Sequence, residues 1–372
     1  MRRLLPLVLV VVVSVAGCSS FPAGPTETPT PESTPTPTET VTPTPTTPAE
    51  PAELAPGVTE DGIVNPVALL RAHQSRLLDE GYTLNQTVVT TYNGSESNRL
   101  VVETVSGPGG ELGYQNGTSY AVDSDGNESV VRNQMWLNTT TMVTRHVEDG
   151  RTTYRVRPRS YPPEALIWFG GLQTQIQLGG DRYVVDSVET RDGVRVVTLT
   201  ASIDRVGGDG IDDTISTLTV DETGVIRNAV VDVTYEEGTN YRTNYTIERL
   251  GVEAPTPPAW LDTVPPSAAL DIGLDVFEFD DQSIQLVHTH GDAVPEGSTV
   301  TVVSNGTTYL TTLGESFADG ERYLWVGTDG SLRATADRPA DDSTRPLDTE
   351  VTVVVRAPDG GELFSTSIGR FG

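Results

Sequence analysis

Few side chains in this chain of 372 residues are of the kinds that carry chemistry: one Cys and four His. A hydrolase elbow needs Gly-x-Ser-x-Gly so that the strand-to-helix turn can tighten around its nucleophile; the nearest approach, Gly314-Glu-Ser316-Phe-Ala318, lacks the second Gly. No His-Glu-x-x-His pair, phosphate-binding Gly-x-x-x-x-Gly-Lys loop or dinucleotide-type Gly-x-Gly-x-x-Gly after a strand is present. His288-x-His290 with Asp292 is the best metal constellation, because residues two apart on a strand share a face and two imidazoles with a carboxylate suit Zn²⁺. A turn starts at Gly291, so the alternative is a pair of strand-end histidines bonded to the adjacent loop. Asp209-Gly-Ile-Asp212-Asp213 and Asp123-Ser-Asp125-Gly-Asn127 place hard oxygens at spacings that suit Ca²⁺, although in so acidic a chain such clusters are ordinarily solvated surface. His73 and His146 are isolated, and His73 falls on a predicted helix, where a hydrogen-bonded core histidine is the ordinary role. The expectation is therefore no catalysis, no bound metal and no cofactor.

Charge and targeting say more. There are 52 acidic side chains against 24 basic ones, a net charge of −28, and every basic residue is Arg. Such a field repels nucleic acid and anionic bilayers and excludes both as electrostatic partners. Acid excess without Lys resembles proteins of salt-in archaea, where molar salt screens charges over about 3 Å. Met1-Arg2-Arg3 precedes an apolar run from Leu4 to Ala16. As a helix that run would rise about 20 Å, short of the ~30 Å hydrocarbon core, so it reads as a signal-peptide core. It ends in Val15-Ala16-Gly17-Cys18, which resembles a lipobox. Residues 1–17 are thus expected to be cleaved and Cys18 to receive lipid, tethering the protein to the extracellular face of the membrane.

Residues 18–58 are then a Thr-, Pro-, Ser- and Glu-rich stalk. They offer almost no apolar surface to offset ordering entropy. At ~3.1 Å per residue a Pro-rich chain of this length reaches up to about 100 Å. Seven of the twelve Asn begin an Asn-x-Ser/Thr sequon: Asn85, Asn93, Asn116, Asn127, Asn138, Asn244 and Asn305. They fit an exported, glycan-bearing surface.

The folded part divides at a Pro-rich linker, 254–266, into regions 59–253 and 267–372. The first opens with Asn65 as cap and Pro66 in the first helical turn; Val67, Leu69, Leu70, His73, Leu77 and Leu78 recur at helical spacing up to Gly81. Strands are predicted over 82–92, 99–105, 112–122, 129–137, 141–147 and 152–156. Asn93-Gly94, Asn116-Gly117, Asp125-Gly126 and Asp149-Gly150 are read as their hairpin turns. Pro162-Pro163 begins an apolar insert of one or two short helices, and more hairpins follow with turns at Asp192-Gly193, Thr223-Gly224 and Glu237-Gly238. Beyond the linker eight short strands in about 105 residues predict a β-sandwich.

This order, with Ser216-Thr-Leu-Thr-Val-Asp-Glu-Thr-Gly-Val-Ile-Arg227 leading into two further strands, resembles the LolA/LolB–LppX–LprG lipoprotein-carrier superfamily. The resemblance implies a mainly β fold with an N-terminal helix, in which an antiparallel half-barrel wraps a helix and its cavity holds acyl chains. In the second region Ile284-Gln-Leu-Val-His288-Thr-His290-Gly-Asp292-Ala-Val294 and Asn305-Gly306-Thr307 resemble the immunoglobulin-like C-terminal module of haloarchaeal pilin-like surface proteins. Leu166, Ile167, Trp168, Phe169, Leu172 and Ile176 of the insert, with Trp136, are either core or the apolar lining of such a cavity. Two functions stay open: a lipoprotein that binds a lipid or other hydrophobic ligand without catalysis, and a structural or interaction module of the envelope with filled β cores. The expected partners are the membrane through Cys18, a hydrophobic ligand and envelope proteins.

Overall fold

The structure, a computed structural model, describes residues 52–122, 126–160, 162–167, 172–206, 211–279, 282–348 and 350–369. The signal segment, Cys18 and the stalk as far as residue 51 lie outside them.

Ala52 to Gly372 forms one compact unit. It begins earlier than the stalk boundary at residue 58 implies. Three short strands, β1 (Glu53–Ala55), β2 (Val58–Thr59) and β3 (Gly62–Ile63), make a small antiparallel sheet. Leu54, Ala55, Val58 and Ile63 enter the core from it. Strands of two or three residues are too short to show a period, which is why they pass unseen in the sequence. The carbonyl of Gly57 accepts the N–H groups of Val64 and Asn65, so this sheet also sets the start of the helix.

Helix α1 (Pro66–Glu80) is built as its residues dictate. The Asn65 side chain accepts the Ala68 N–H at 3.1 Å, and Gly81, at φ 74°, donates its N–H to Leu77 and ends the helix. Leu69, Leu70, His73 and Leu77 are buried, whereas Val67 is 57% exposed, so the apolar stripe is narrower than its spacing predicted.

After α1 come β4 (Tyr82–Tyr92), β5 (Ser95–Ser106), β6 (Gly113–Val122), β7 (Glu128–Leu137), β8 (Thr141–Glu148) and β9 (Arg151–Pro158). The insert supplies a short 3-10 turn (Pro163–Leu166) and helix α2 (Leu172–Gly179). Then follow β10 (Val184–Arg191), β11 (Val194–Val206), β12 (Ile211–Asp221), β13 (Ile226–Tyr235) and β14 (Thr239–Leu250). All eleven strands join one antiparallel sheet in the order β10-β11-β12-β13-β14-β4-β5-β6-β7-β8-β9, and its two ends do not pair. Most predicted turn pairs hold, with Asn93, Asp149 and Asp192 at φ near 50° before their glycines. Asn116-Gly117 is different: it sits in the middle of β6, paired on both sides, and makes no turn.

The C-terminal strands are β15 (Ile272–Phe279), β16 (Ile284–Gly291), β17 (Thr299–Ser304), β18 (Thr307–Thr312), β19 (Glu321–Gly327), β20 (Leu332–Thr335), β21 (Thr344–Arg345), β22 (Glu350–Arg356) and β23 (Glu362–Gly369). They form two antiparallel sheets, β15-β16-β19-β20 with β21 on β19, and β18-β17-β22-β23. Leu286 and Leu324 from the first and Val302 and Val353 from the second share one core. The C-terminal end of the linker is fastened on both sides. Thr263 meets the Tyr154 hydroxyl of β9 at 2.7 Å, and the Ser267 N–H and hydroxyl bond the carboxylate of Asp359 at 2.9 and 2.5 Å. Arg151 of β9 pairs with Glu362, and Arg157 reaches the carbonyl of Leu270.

The core of the large sheet is locked by the Thr-Val-Asp-x-x-Gly-x-Ile unit. Asp221 is buried, and one carboxylate oxygen accepts from the Thr223 N–H, the Thr223 hydroxyl and the Val225 N–H, the other from Arg227 Nε at 2.7 Å. Gly224, at φ 88°, brings the turn so near α1 that a Cβ there would come within 2.7 Å of the Ala72 methyl. His73 Nδ1 accepts the Ile226 N–H at 3.1 Å and Nε2 meets the Tyr245 hydroxyl at 3.0 Å, so the ring joins α1, β13 and β14 as a neutral imidazole.

Two outcomes follow. Asp221→Ala should cost about 3 kcal/mol in urea unfolding, since two backbone donors and a cation lose their buried acceptor; a loss under about 1 kcal/mol would show that the turn holds without it. Burial lowers the His73 pKa to about 3, with nearby Asp221 opposing and Arg227 assisting. Below pH 6.5 the unfolded state gains a proton that the folded state refuses. Stability therefore falls with falling pH, by up to about 1.4 kcal/mol per unit from this ring. Between pH 6.5 and 5 that slope should be absent in His73→Gln; equal slopes in both proteins would contradict it.

Candidate functional site

Residues paired across antiparallel strands point to one face. The buried Leu84, Tyr245 and Leu218 therefore mark the inner face of the large sheet, the one that carries α1. One row of that face runs Tyr245–Gln86–Val102–Gly117–Asn133–His146–Thr153, from β14 to β9. Beside it run Leu84–Thr104–Gln115–Met135–Thr144–Arg155 and, on the other side, Val88–Leu100–Ser119–Val131.

The inner face has two halves. Over β11–β14 and β4 it is closed by α1, α2 and the small N-terminal sheet. Over β5–β9 it opens by degrees. Val102, Thr104, Gly113, Gly117 and Leu137 are buried, Leu100, Val131, Met135, Met142 and His146 are half-buried, and Asn133 and Arg155 are exposed. In these rows β4 to β7 contribute no charged side chain; the rows continue to His146 and Glu148 on β8 and to Arg155 and Arg151 on β9. His146 Nδ1 lies 2.7 Å from Asn133 Oδ1.

Two features stand out at the boundary between the halves. Gly117 leaves a gap in the central row: a Cβ there would meet only the Asn133 carbonyl at 3.4 Å and a Val102 methyl at 3.7 Å. Gln86, 1% exposed, has no hydrogen-bond partner for either side-chain amide atom. The tyrosines around it are neutral. Burial raises Tyr82, which the Ser106 hydroxyl partly offsets, and burial together with the neighbouring Tyr82 phenol raises Tyr245.

The residues singled out in the sequence are not brought together. Ile167, Leu172 and Ile176 are buried in the core with Leu69 and Leu199. Leu166 lies over Gly113, where a Cβ would be 3.0 Å from its methyl. Trp136 is 5% exposed but sits on the outer face, paired with Tyr114 and Val143. Trp168 and Phe169 lie outside the described residues. Gln86, Gly117 and Met135 were missed. Their only sequence signal is two-residue alternation, and the Asn-Gly pair obscured it by resembling a turn.

His288 Nε2 contacts the Asp292 carbonyl at 2.8 Å, with its ring edge-on to Phe317, and His290 Nδ1 lies 3.1 Å from the Thr289 hydroxyl. Asp209 is outside the described residues and Asp212 lies in β12. A carboxylate oxygen of Asp213 is buried without a partner. Among the described residues no three His, Cys, Asp or Glu side chains are grouped as metal ligands.

Of the sequons, Asn85, Asn116 and Asn244 lie on the outer face, and Asn93, Asn127, Asn138 and Asn305 lie at or beside turns. Two surface clefts, of about 490 Å³ beside Glu111, Arg159 and Pro163 and of about 370 Å³ beside Glu96, Arg99 and Tyr120, include none of Gln86, Gly117 and Met135 in their lining. The Arg159 guanidinium in the first already bonds the carbonyls of Gly110, Glu111 and Asn138. No described helix is long and apolar enough to cross a membrane.

No protein-family model and no curated protein matches the chain. Among solved structures it is similar to a DUF1329 family protein from Desulfovibrio piger (10% identity, TM-score 0.22, 52% of this chain and 93% of that one). It is similar also to a LolA superfamily protein from Nitrosomonas europaea (8%, 0.19, 51% and 93%). A third is a β-barrel-like protein of a domain of unknown function from Brucella abortus (9%, 0.20, 46% and 97%). At such TM-scores the likeness carries no weight for function, which has to be read from the chain's own residues.

Proposed function

We propose that this protein is a lipid-anchored protein of the outer cell surface whose large sheet, a half-barrel around α1, binds a lipid or other apolar ligand without catalysis. The observation that carries this is the unequal covering of the inner face. One half is sealed by helices, while β5–β9 leave Leu100, Val131, Met135 and Met142 half-buried over a glycine gap at Gly117. Burial of an alkyl chain at about 0.8 kcal/mol per CH₂ gives useful affinity without polar specificity. The sequons support the orientation, since the in-strand acceptors Asn85, Asn116 and Asn244 would put glycans on the opposite face. Cys18 and the lipobox supply the anchor, the acidic Lys-free composition fits work in concentrated salt, and the C-terminal unit serves as an immunoglobulin-like module braced against β9.

A second reading, an interaction module of the envelope, is favoured by the filled core around α1, to which Ile167, Leu172 and Ile176 belong. Extraction separates the two. Protein purified in high salt should release about one equivalent of lipid into organic solvent and take up a fluorescent fatty acid afterwards; a dry extract without uptake would leave the second reading. Gly117 has an ordinary strand backbone, so Gly117→Leu should fold and weaken uptake at least tenfold. Unchanged uptake would move the ligand off this face. Cys18→Ser should free the protein from the membrane fraction, and persistent association would overturn the anchor.

A further inference from the structure

Among the described residues, two buried side chains of the inner face on β4 lack a hydrogen-bond partner, the Tyr82 hydroxyl and the Gln86 amide, and only the amide leaves both a donor and an acceptor unused. Gln86 is 1% exposed, and both its amide nitrogen and its amide oxygen are without partners. The polar groups paired next to it across the strands are engaged elsewhere: the Tyr245 hydroxyl faces His73 at 3.0 Å, and the Thr104 hydroxyl accepts from Gln115 at 3.2 Å. The other side chains around it on this face, Leu84, Val88 and Val102, are apolar. A buried amide in such a setting is normally paired, and one that is not calls for an occupant. Along the same row the next position but one is Gly117, whose missing side chain leaves room between Gln86 and Asn133.

We infer that Gln86 reads the head group of the bound molecule, and that this head group is uncharged and both donates and accepts a hydrogen bond, as an alcohol or a carboxamide does. The inference rests on the ligand-binding reading of this face and deepens it. An amide pairs fully only with a group offering both functions. An ionised head is disfavoured because β4 to β7 contribute no charge to these rows, the His73 ring beside Tyr245 is neutral, and the charged members of the rows, Glu148, Arg151 and Arg155, lie on β8 and β9. The alkyl part then extends from Gln86 over Gly117 towards Met135 and Met142.

The test is titration calorimetry in high salt, on the delipidated full chain, with 1-decanol, decanamide, decanoate and decane. The alcohol and the amide should bind at least tenfold more tightly than the carboxylate or the hydrocarbon. In Gln86→Met, which keeps the length and removes both polar atoms, that preference should fall below threefold with decane affinity unchanged. The ligand-free variant should melt no lower than the parent protein. Binding of all four probes without preference, preference for decanoate, or an undiminished preference in the variant would overturn the head-group assignment while leaving ligand binding in place. Binding of none would remove both, and the wild-type ranking decides even if the variant does not fold.

Discussion

The large sheet depends on one buried polar chain: Arg227 to Asp221, Asp221 to the turn at Gly224, the turn's Ile226 N–H to His73, and His73 to Tyr245. Apolar burial by itself would let α1 slide along the strands, because leucines on a helix can meet valines on a sheet in several registers. A neutral imidazole with one acceptor and one donor nitrogen allows a single position. Once α1 is fixed, its far end fixes Gly81 and hence the start of β4, the strand at the centre of the sheet. The small N-terminal sheet and α2 then fill the space left beside it.

That constraint also explains why the inner face is uneven. The polar side-chain anchors of α1 lie on β13 and β14, and its C-terminal end rests on the turn after β5, where Leu78 meets Gly110; the face over β5–β9 has shallower cover. The face changes character across the sheet accordingly. It is aliphatic and closed under α1, mixed and half-buried in the middle, and charged at the β9 edge where it meets the linker.

Much of this was legible in the sequence. Asn65, Pro66 and Gly81 bounded α1, and asparagine-glycine and aspartate-glycine pairs placed most hairpins, because capping and positive φ are local requirements that few residues meet. Eight of the nine C-terminal strands stood out for the same reason, and the two-residue β21 did not. The site was less legible. Ile167 and Leu172 looked like a lining because hydrophobicity is visible and its destination is not. Gln86 looked like any polar strand residue, since its isolation depends on Tyr245 and Val102, which are brought beside it only by pairing across 159 and 16 positions of chain. Trp136 and Leu137 are adjacent in sequence yet serve opposite faces, a distinction that needs the register as well as the period.

The open ends of the eleven-stranded sheet are treated unequally. β9 has Pro266–Ala269 beside it and ion pairs from Arg151 and Arg157 across it, whereas β10 ends the sheet with Val184 and Val188 more than 40% exposed. Growth of this sheet by strand addition is therefore one-sided. Two copies meeting through their β10 edges would each present the flanked β9 edge outward, and the symmetry closes at two. That geometry limits edge-to-edge association of the sheet to a pair and denies it the head-to-tail repetition from which fibres grow.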